Sequence, residues 1–299
     1  MKKTGSLWPI LYGILLTAFT IYALLDTFVI TRVYSVVPTA GLGQTEAAST
    51  ATPAPGGVVI TEDTYKDQNK TIILTSYREY DTTIYVADIT ITSAKYLQTA
   101  FAQGAYGRNV TEKTSETAAE NHAVLAINGD YYGSREAGYV IRNGILYRNT
   151  PVKGQEDLVI YADGSFGIIN EEDITAEQLL EDGAAQVFSF GPALVENGKI
   201  SVTEAEEVGK AKASNPRTAL GILGPLHYLF VVSDGRTEES QGLTLYQLAE
   251  FMQTLGTTIA YNLDGGGSST MFFNGEIINN PTTNGRSIQE RRVSDIVYI

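Results

Sequence analysis

Cysteine is absent from this chain of 299 residues, which also has only two histidines and one tryptophan. Without cysteine no disulfide can form, so a domain outside the cytoplasm would be held together by packing alone. Few histidines and no cysteine also disfavour a zinc site, because these residues are the ligands that zinc prefers. His122 and His227 stand in no metal-binding or catalytic spacing, and we expect hydrogen-bonded positions beside the core for them.

Basic residues are few as well, since 21 lysines and arginines face 34 acidic residues, which gives a formal net charge of −13. No basic tract is present that could neutralise a run of nucleic-acid phosphates. We therefore expect no nucleic-acid partner. The acidity is more simply explained as a feature that keeps the protein soluble.

Charge is missing altogether from residues 4–25, "TGSLWPILYGILLTAFTIYALL", which follow Lys2 and Lys3. A mostly apolar helix of this length can cross a hydrocarbon core of about 30 Å. The two lysines orient it with the rest of the chain outside the cytoplasm. A cleavable signal peptide is the alternative, although "VVPTAG" at residues 36–41 is a poor cleavage site. We favour an uncleaved, single-pass anchor in the cell membrane, so that the membrane is a partner through this helix.

Composition divides the chain into three parts. Residues 1–32 are the expected cytoplasmic tip and transmembrane anchor. Residues 33–57 contain "AGLGQTEAASTATPAPGG", whose small residues, proline and glycine predict a flexible linker. Residues 58–299 are long enough to bury one core and form the expected extracytoplasmic domain.

Hydrophobic patterning in that domain predicts many strands and few helices. Alternating β-branched, aromatic and polar residues predict hairpins at residues 71–92, at residues 138–148 and around residues 163–164. Short apolar runs at residues 122–129 and 256–266 predict buried central strands. Helices are predicted at residues 175–183 and 244–256. The expected class is α+β, with a mixed, strand-rich sheet core and a few flanking helices.

Polar side chains follow several apolar runs, at the points where the strands are expected to end. The four segments are "INGDYYG", "SNPRTALGI", "VVSDGRTEESQGLT" and "YNLDGGGSSTM". If the strands lie side by side, their ends form one cleft able to bind hydroxyls, phosphate or a cation, lined by Asn128, Asp130, Arg217, Asp234, Arg236, Asn262 and Asp264. Taken singly, each has a plainer explanation, because Asn-Gly and Asp-Gly shape turns and arginines form surface ion pairs.

The segment "NLDGGGSSTMFF" at residues 262–273 places three glycines between an aspartate and three hydroxyl residues. It is neither the G-x-S-x-G elbow of serine hydrolases nor a phosphate loop, which needs a Gly-Lys-Ser/Thr ending. Glycine lets backbone N–H groups approach an anion or a sugar closely. Calcium or magnesium, which take oxygen ligands, stays open through Asp130 or Asp264.

In chain order, "AINGDYYG", "GYVIRNGILY", "NPRTALGI", "VVSDGR", "GLTLYQLAEFMQTLG" and "YNLDGGGSSTM" resemble the phosphodiester glycosidase family over about residues 120–299. "RRVSD" near the end resembles the family's closing Arg-x-Val segment. The chain has "NGDYY" where the family more often has "NGGFF", which sets Asp130 apart. The resemblance implies an exported enzyme that cleaves the bond between a sugar's anomeric carbon and a phosphodiester.

The resemblance also implies roles for individual residues. Asp264, Asp130 and Asp234 become the catalytic candidates, with Asp264 or Asp130 as base or nucleophile. Arg217 and Arg236 would hold the phosphate by charge-assisted hydrogen bonds. The remaining substrate-binding candidates are Asn128, Asn262, Gly265, Gly266, Gly267, Ser268, Ser269 and Thr270. The expected substrate is a sugar-1-phosphodiester, similar to that of N-acetylglucosamine, in cell-envelope or exopolysaccharide material.

A second interpretation is a surface module that binds wall glycan or a teichoic-acid-like polymer without turnover. Its cleft would carry the same side chains, so the residues alone leave both interpretations open. Release of reducing sugar distinguishes the enzyme from the binder. A purely structural role in envelope assembly is a third interpretation.

Overall fold

The computed structural model describes residues 8–35, 58–204 and 214–299. Its α-helices are α1 (Trp8–Phe28), α2 (Thr114–Glu120), α3 (Ala176–Glu181) and α4 (Leu245–Thr254), and its 3-10 helices are Ala94–Tyr96, Ala102–Gly104, Tyr132–Ser134 and Gly266–Ser268. The strands in chain order are β1 (Arg32–Val33), β2 (Val59–Ile60), β3 (Thr64–Lys66), β4 (Lys70–Glu79), β5 (Thr82–Ile91), β6 (Gln98–Phe101), β7 (Gly107–Arg108), β8 (Leu125–Asn128), β9 (Val140–Arg142), β10 (Ile145–Arg148), β11 (Glu156–Tyr161), β12 (Phe166–Asn170), β13 (Ala184–Phe188), β14 (Ala193–Glu196), β15 (Lys199–Ile200), β16 (Arg217–Gly224), β17 (His227–Ser233), β18 (Ile259–Asn262), β19 (Met271–Phe273), β20 (Glu276–Ile277) and β21 (Asp295–Tyr298).

Three sheets form the body of the domain. The largest has the strand order β15-β14-β18-β16-β17-β5-β4-β3-β2, a second has the order β20-β19-β8-β21-β6, and a third has the order β10-β9-β13-β11-β12. The predicted hairpins are present as β4–β5, β9–β10 and β11–β12, and the predicted buried strands are β8 and β18. The strand-rich α+β fold with few helices is confirmed.

Every pairing between the described strands is antiparallel, whereas the sequence analysis expected a mixed core. The reason lies in the connections. Parallel neighbours need a crossover of a dozen or more residues, which is usually a helix, and this chain has few helices to supply one. Antiparallel neighbours need only a tight turn, such as Asn143-Gly144 between β9 and β10, where both residues have positive φ.

The main core lies between the three sheets. It combines Ile89 and Leu220 from the largest sheet with Leu125 and Val297 from the second, and the third sheet adds Leu158 and Phe188. Each short helix then covers the outer face of one sheet, α4 on the largest, α2 on the second and α3 on the third. The sheets are therefore locked together on one side and shielded from water on the other.

Capping residues determine where the two predicted helices begin. The backbone N–H of Gln247 donates to the Thr244 hydroxyl at 3.1 Å, and the Gln247 side chain accepts from the Thr244 N–H at 2.9 Å. In α3 the N–H of Gln178 donates to the Thr175 hydroxyl at 3.2 Å. Helix α2 was not predicted, because it buries two threonines and one alanine rather than a stripe of large apolar residues.

Helix α1 is long and apolar enough to cross a membrane, with a mean hydropathy of 1.8 and no buried residue, features that a signal sequence shares. It contacts the domain at its C-terminal end, where the Asn109 side chain donates to the carbonyls of Thr27 and Ile30. Strand β1 then pairs with β7. Most of the expected linker, residues 36–57, lies outside the described residues.

Candidate active site

The glycine-rich segment is the crossing from one sheet to another. Strand β18 belongs to the largest sheet, β19 belongs to the second sheet, and residues 263–270 connect them. A single 3-10 turn, Gly266–Ser268, lies in the middle of the connection. The segment therefore lies at the junction of the two sheets, where the ends of strands from both sides can meet.

Backbone hydrogen bonds bring the four polar segments together at this junction. The N–H of Gly266 donates to the carbonyl of Pro216 at 2.8 Å, and the N–H of Asp264 donates to the carbonyl of Gly129 at 3.4 Å. The N–H of Arg217 donates to the Ser233 hydroxyl at 3.0 Å. The structure thus places the four segments side by side, as the sequence analysis expected.

Asn128 connects three of these segments from a fully buried position. Its amide nitrogen donates to the carbonyl of Asp264 at 2.6 Å, while its oxygen accepts from the Thr218 hydroxyl at 2.9 Å and from the Thr270 N–H at 3.3 Å. These bonds use both the donor and the acceptor ends of the amide. Asn128 is therefore placed to hold the glycine-rich crossing rather than to meet a ligand.

Asp264 is the carboxylate at the edge of the junction, with a side chain that is 14% exposed. Its Oδ2 accepts from the Ser268 hydroxyl at 2.5 Å and from Nη2 of Arg291 at 3.2 Å. Arg291 also donates to the Ser268 oxygen, from Nε at 3.0 Å and from Nη2 at 2.5 Å. Burial raises the pKa of Asp264 above its ordinary value, and Arg291 and Ser268 oppose that rise.

Three guanidinium groups lie along the glycine-rich crossing. Arg291 contacts Asp264 itself, whereas Arg217 lies beside Gly265 and Arg236 lies beside Gly266. Burial, and then the positive charge of Arg236, lower the pKa of Arg217 to about 10. Burial and the charge of Arg291 likewise lower the pKa of Arg236. Cations that repel each other at the junction form a local centre of positive charge in a strongly acidic chain, which suits the binding of an anion.

The three glycines leave room for these neighbours. Gly266 has a φ of +61°, and a side chain there would begin 2.8 Å from Nη2 of Arg236. A side chain at Gly267 would begin 2.3 Å from the hydroxyl of Thr283. Any larger residue would push the crossing away from Arg236 or from the loop that carries Thr283. A side chain at Gly265 would begin 2.9 Å from the carbonyl oxygen of Pro216.

Asp130 lies in a second, buried cluster of charges. Its Oδ2 pairs with Nη2 of Arg142 at 2.8 Å, and Arg142 also contacts Oδ2 of Asp295 at 2.9 Å. Burial alone would lower the pKa of Arg142, but the two carboxylates raise it above its ordinary value. Burial raises the pKa of Asp295 to about 8, against the opposing effect of Arg142. We call Asp130, Arg142 and Asp295 the buried triad.

Asp234 is placed against the loop that follows β20. Its carboxylate accepts from the backbone N–H of Asn280 at 2.7 Å and from the Asn280 side chain at 3.1 Å. The Tyr85 hydroxyl donates to it at 3.3 Å. The same loop supplies the carbonyl of Thr283, to which Arg236 donates at 2.6 Å, so Asp234 holds the loop that orients Arg236.

The remaining predicted residues of the segment are buried. Asn262 donates to the carbonyl of Gly191 at 2.8 Å. The Asn262 amide oxygen and the hydroxyls of Ser269 and Thr270 have no hydrogen-bond partner among the described residues. Ser268 is buried too, but its hydroxyl joins Asp264 to Arg291, so it belongs to the network around the carboxylate.

Within the described ranges, no group of three or more His, Asp or Glu side chains could hold a metal ion. Calcium or magnesium at Asp130 or Asp264 stays a prediction. The two histidines lie elsewhere, with His227 paired to Asp88 at 2.8 Å on a partly exposed strand face and His122 in a turn with positive φ.

Sequence reasoning missed Arg291, Arg142 and Asp295 as members of these networks. Two of them lie in "RRVSD", which matched a family motif but suggested no partner. Arg142 interrupts the apolar alternation of "GYVIRNG", and an arginine at such a position was the available signal of a buried ion pair.

The sequence profile of the phosphodiester glycosidase family matches residues 121–299, well over half of the chain. The chain belongs to the phosphodiester glycosidase family. This confirms the resemblance seen over about residues 120–299. The buried triad and the network of Asp264, Ser268 and Arg291 lie within the matched region.

Individual relatives are similar over part of their length. An uncharacterized protein of Bacillus subtilis, the SPbeta prophage-derived YomE, is 29% identical over 58% of this chain and 28% of its own. The bovine N-acetylglucosamine-1-phosphodiester alpha-N-acetylglucosaminidase is 28% identical over 62% of this chain and 38% of its own. The family domain described here thus matches well under half the length of these curated relatives.

Solved structures share the fold. The catalytic domain of the zebrafish N-acetylglucosamine-1-phosphodiester alpha-N-acetylglucosaminidase, auto-inhibited by its pro-peptide, superposes with a TM-score of 0.61 at 21% identity and covers 77% of this chain and 82% of that one. A hypothetical protein from Synechocystis gives a TM-score of 0.53 at 14% identity, over 77% of this chain and 62% of its own. At these identities the likeness concerns the fold alone.

Proposed function

We propose that the chain hydrolyses a sugar-1-phosphodiester, similar to that of N-acetylglucosamine, in cell-envelope or exopolysaccharide material. The observation that carries the proposal is the contact of Arg291 with the partly exposed carboxylate of Asp264, on a glycine-rich crossing that also passes beside Arg217 and Arg236. Positive charge is what a phosphodiester requires, and a carboxylate beside it is what attack on the anomeric carbon requires. Membership of the family and the substrate named for the bovine relative support the same chemistry.

In the proposed reaction Arg236 and Arg217 hold the phosphodiester oxygens. Asp264 acts on the anomeric carbon, either as the base that takes a proton from an attacking water or as the nucleophile. The bond from the anomeric carbon to the phosphate oxygen breaks, and its electron pair leaves with the phosphate monoester. A phosphate is a good leaving group, so the reaction needs less help from a general acid than an ordinary glycoside does.

We assign positioning roles to the other two predicted aspartates. Asp130 is paired with Arg142 in the buried triad, and the Asp234 carboxylate accepts a hydrogen bond from the backbone N–H of Asn280. Gly265, Gly266 and Gly267 bring backbone close to Arg236, and Ser268 orients Asp264. The buried side chains at the crossing help to shape it, namely Asn128, Asn262, Ser269 and Thr270.

The test is hydrolysis of synthetic phosphodiesters of N-acetylglucosamine by the purified chain. We expect free sugar and phosphate monoester from the parent, and a kcat/KM that is about 10²–10⁴-fold lower for Asp264→Asn, the range typical of acid–base groups. Asp88→Asn is the matched control, because Asp88 is an exposed strand residue paired with His227. Equal rates for parent and Asp264→Asn would exclude the assignment of Asp264.

The same assay separates the enzyme from the binding module. A binder retains a wall glycan or teichoic-acid-like polymer and releases no sugar, in the parent and in Asp264→Asn alike. An enzyme whose base is removed retains the substrate analogue but loses turnover. NMR of the first sugar released shows whether its anomeric configuration is inverted or retained relative to the substrate. Inversion indicates that Asp264 acts as a base, and retention indicates that it acts as a nucleophile.

For location, we propose that α1 stays attached as a single-pass anchor with the domain outside the cytoplasm. The contacts of Asn109 with the end of α1 and the pairing of β1 with β7 support this, because a removed signal peptide would take these contacts with it. Resistance to extraction by alkaline carbonate, together with protease access to the domain from outside, tests it.

A further inference from the structure

A pocket separate from the Asp264 site lies where the anchor meets the domain. It has a volume of about 250 Å³ and is lined by Tyr34, Tyr106, Arg108, Tyr132, Arg135 and Arg148, together with Gly107, Gly133 and Glu136. None of these residues belongs to the arginine cluster around Asp264. A ligand of this pocket would therefore bind independently of the Asp264 site.

The position of this pocket is fixed relative to α1. Gly107 and Arg108 pair with Arg32 and Val33, and the next residue, Tyr34, donates its backbone N–H to the carbonyl of Tyr106 at 3.0 Å. The Asn109 side chain donates to the carbonyl of Thr27, in the last turn of α1, and to that of Ile30 just beyond it. If α1 crosses the bilayer, Tyr34 lies six residues beyond the end of the helix at Phe28, a reach of at most about 20 Å.

The charge of the pocket contrasts with that of the whole chain, which is −13. Three arginines line it, and its one carboxylate, Glu136, pairs with Arg108 at 2.8 Å from a side chain that is 81% exposed. Arg148 is fixed by the carbonyls of Gly138, Tyr132 and Arg135, which orient its guanidinium without neutralising it. The pocket has a net positive charge.

Aromatic side chains complete the wall. Tyr106 stacks on Tyr132 with ring centroids 5.2 Å apart, and Tyr34 tilts against Tyr106 at 5.9 Å. Tyrosine and arginine together are the residues that lie at lipid headgroup level, where the ring contacts acyl chain and glycerol and the cation contacts phosphate. A soluble saccharide would favour the rings but would not require three arginines.

We propose that this pocket binds the phosphate headgroup of an anionic membrane lipid and so seats the domain on the bilayer that α1 crosses. The proposal rests on the anchoring role given to α1 above, but not on the hydrolysis reaction. Seated in this way, the Asp264 site is held within reach of glycan attached to the same membrane, rather than at the end of a free tether.

The test uses the full chain in detergent, exposed to phosphatidylglycerol or phosphatidylcholine, with retained lipid counted by native mass spectrometry. We expect preferential retention of phosphatidylglycerol, and a loss of about tenfold in Arg108→Gln, as for one charge-assisted contact. Arg292→Gln is the control, because it removes the same charge from an exposed position near α2. Tyr34→Ala, which leaves the domain's own residues intact, gives a second variant should Arg108→Gln unfold.

Three results would overturn the proposal. Equal retention of the two lipids would remove the headgroup preference, and equal losses in Arg108→Gln and Arg292→Gln would remove the pocket. Competition by water-soluble glycerol phosphate at the same concentration as the lipid would make it a site for free phosphate. Lipid retention is measured without turnover. The lipid-binding result can therefore be interpreted even if the chain proves inactive in the hydrolysis assay.

Discussion

Two arginine–carboxylate groups lie close together in this domain, and they differ in exposure and in number of charges. At Asp264 one carboxylate contacts one guanidinium group, that of Arg291, and the Asp264 and Arg291 side chains are 14% and 41% exposed. In the buried triad one arginine faces two carboxylates, and all three side chains are at most 2% exposed. The first group is therefore open to solvent and to a ligand, whereas the second is closed to both.

This difference in exposure indicates that the Asp264 group, and not the buried triad, can take part in a reaction. A fully buried ion pair can contribute to a unique fold, but it has no access to substrate. The Asp264 carboxylate keeps part of its side chain exposed beside Arg291, so it can meet water and an anion. We therefore expect substitutions in the triad to change stability and substitutions around Asp264 to change activity.

Arg142→Gln should have the largest effect on stability. It leaves Asp130 and Asp295 buried without a cation, and the loss of one partner from such a group costs about 3–5 kcal/mol of unfolding free energy. Urea unfolding followed by circular dichroism measures it. Asp264→Asn serves as the comparison and should change stability by about 1 kcal/mol or less, since burial already disfavours the Asp264 charge. Similar losses of unfolding free energy in both variants would contradict the assignment of the triad to stability and of Asp264 to activity.

Arg291→Gln should act on activity instead. Loss of a hydrogen bond to a charged group predicts a kcat/KM about 10–100-fold lower. Arg291 lowers the pKa of Asp264, so its removal raises that pKa further, and the acid limb of the pH–rate profile should move to higher pH.

The neighbouring Arg292→Gln is the control for this substitution, because Arg292 points towards Glu116 at 4.0 Å. It should leave both the rate and the acid limb unchanged. An acid limb that stays in place, or moves to lower pH, in Arg291→Gln would contradict the role of Asp264 as the group that must lose its proton.

The buried triad should also make stability depend on pH. The pKa of Asp295 is raised to about 8 in the folded protein, against an ordinary value of about 3.9 when unfolded. Between these values the folded state holds a proton that the unfolded state lacks. This contribution is therefore complete below about pH 4 and is lost as pH rises through about 8, by at most about 1.4 kcal/mol per pH unit.

Asp295→Asn should flatten this dependence, as measured by unfolding free energies from pH 5 to pH 8. Asp163→Asn is the control, because Asp163 is an exposed turn residue whose pKa is lowered by hydrogen bonds from Ser165. A slope that persists unchanged in Asp295→Asn would assign the pH dependence to another group.

Gly266→Ala should have the smallest effect. The positive φ of Gly266 costs an alanine about 1–2 kcal/mol, and the new methyl group would lie 2.8 Å from Nη2 of Arg236. Gly154→Ala, at a φ of +69°, carries similar backbone strain with nothing within 4 Å of the methyl group. Both should lose similar stability, but KM should rise a few-fold only in Gly266→Ala. A rise in both would mean that strain, not Arg236, controls binding.

Much of the local structure was predictable. Thr244 and Gly256 bracket α4 because capping and left-handed glycine act over a few residues, and the hairpin at Asn143-Gly144 follows from the same kind of local preference. The family was predictable too, because its motifs are short and occur in order. The antiparallel arrangement of all the described strand pairs was not predictable, because it depends on how the connections pack rather than on any one strand.

The amino-acid order was enough to identify the polar residues at the strand ends and to mark the glycine-rich segment as unusual. How their charges pair depends on the folded arrangement. Arg291 is 27 residues from Asp264, and Arg142 is 153 residues from Asp295, so no local pattern could join them. The physical reason is that an ion pair depends on distance and burial in space, and the junction of two sheets sets both.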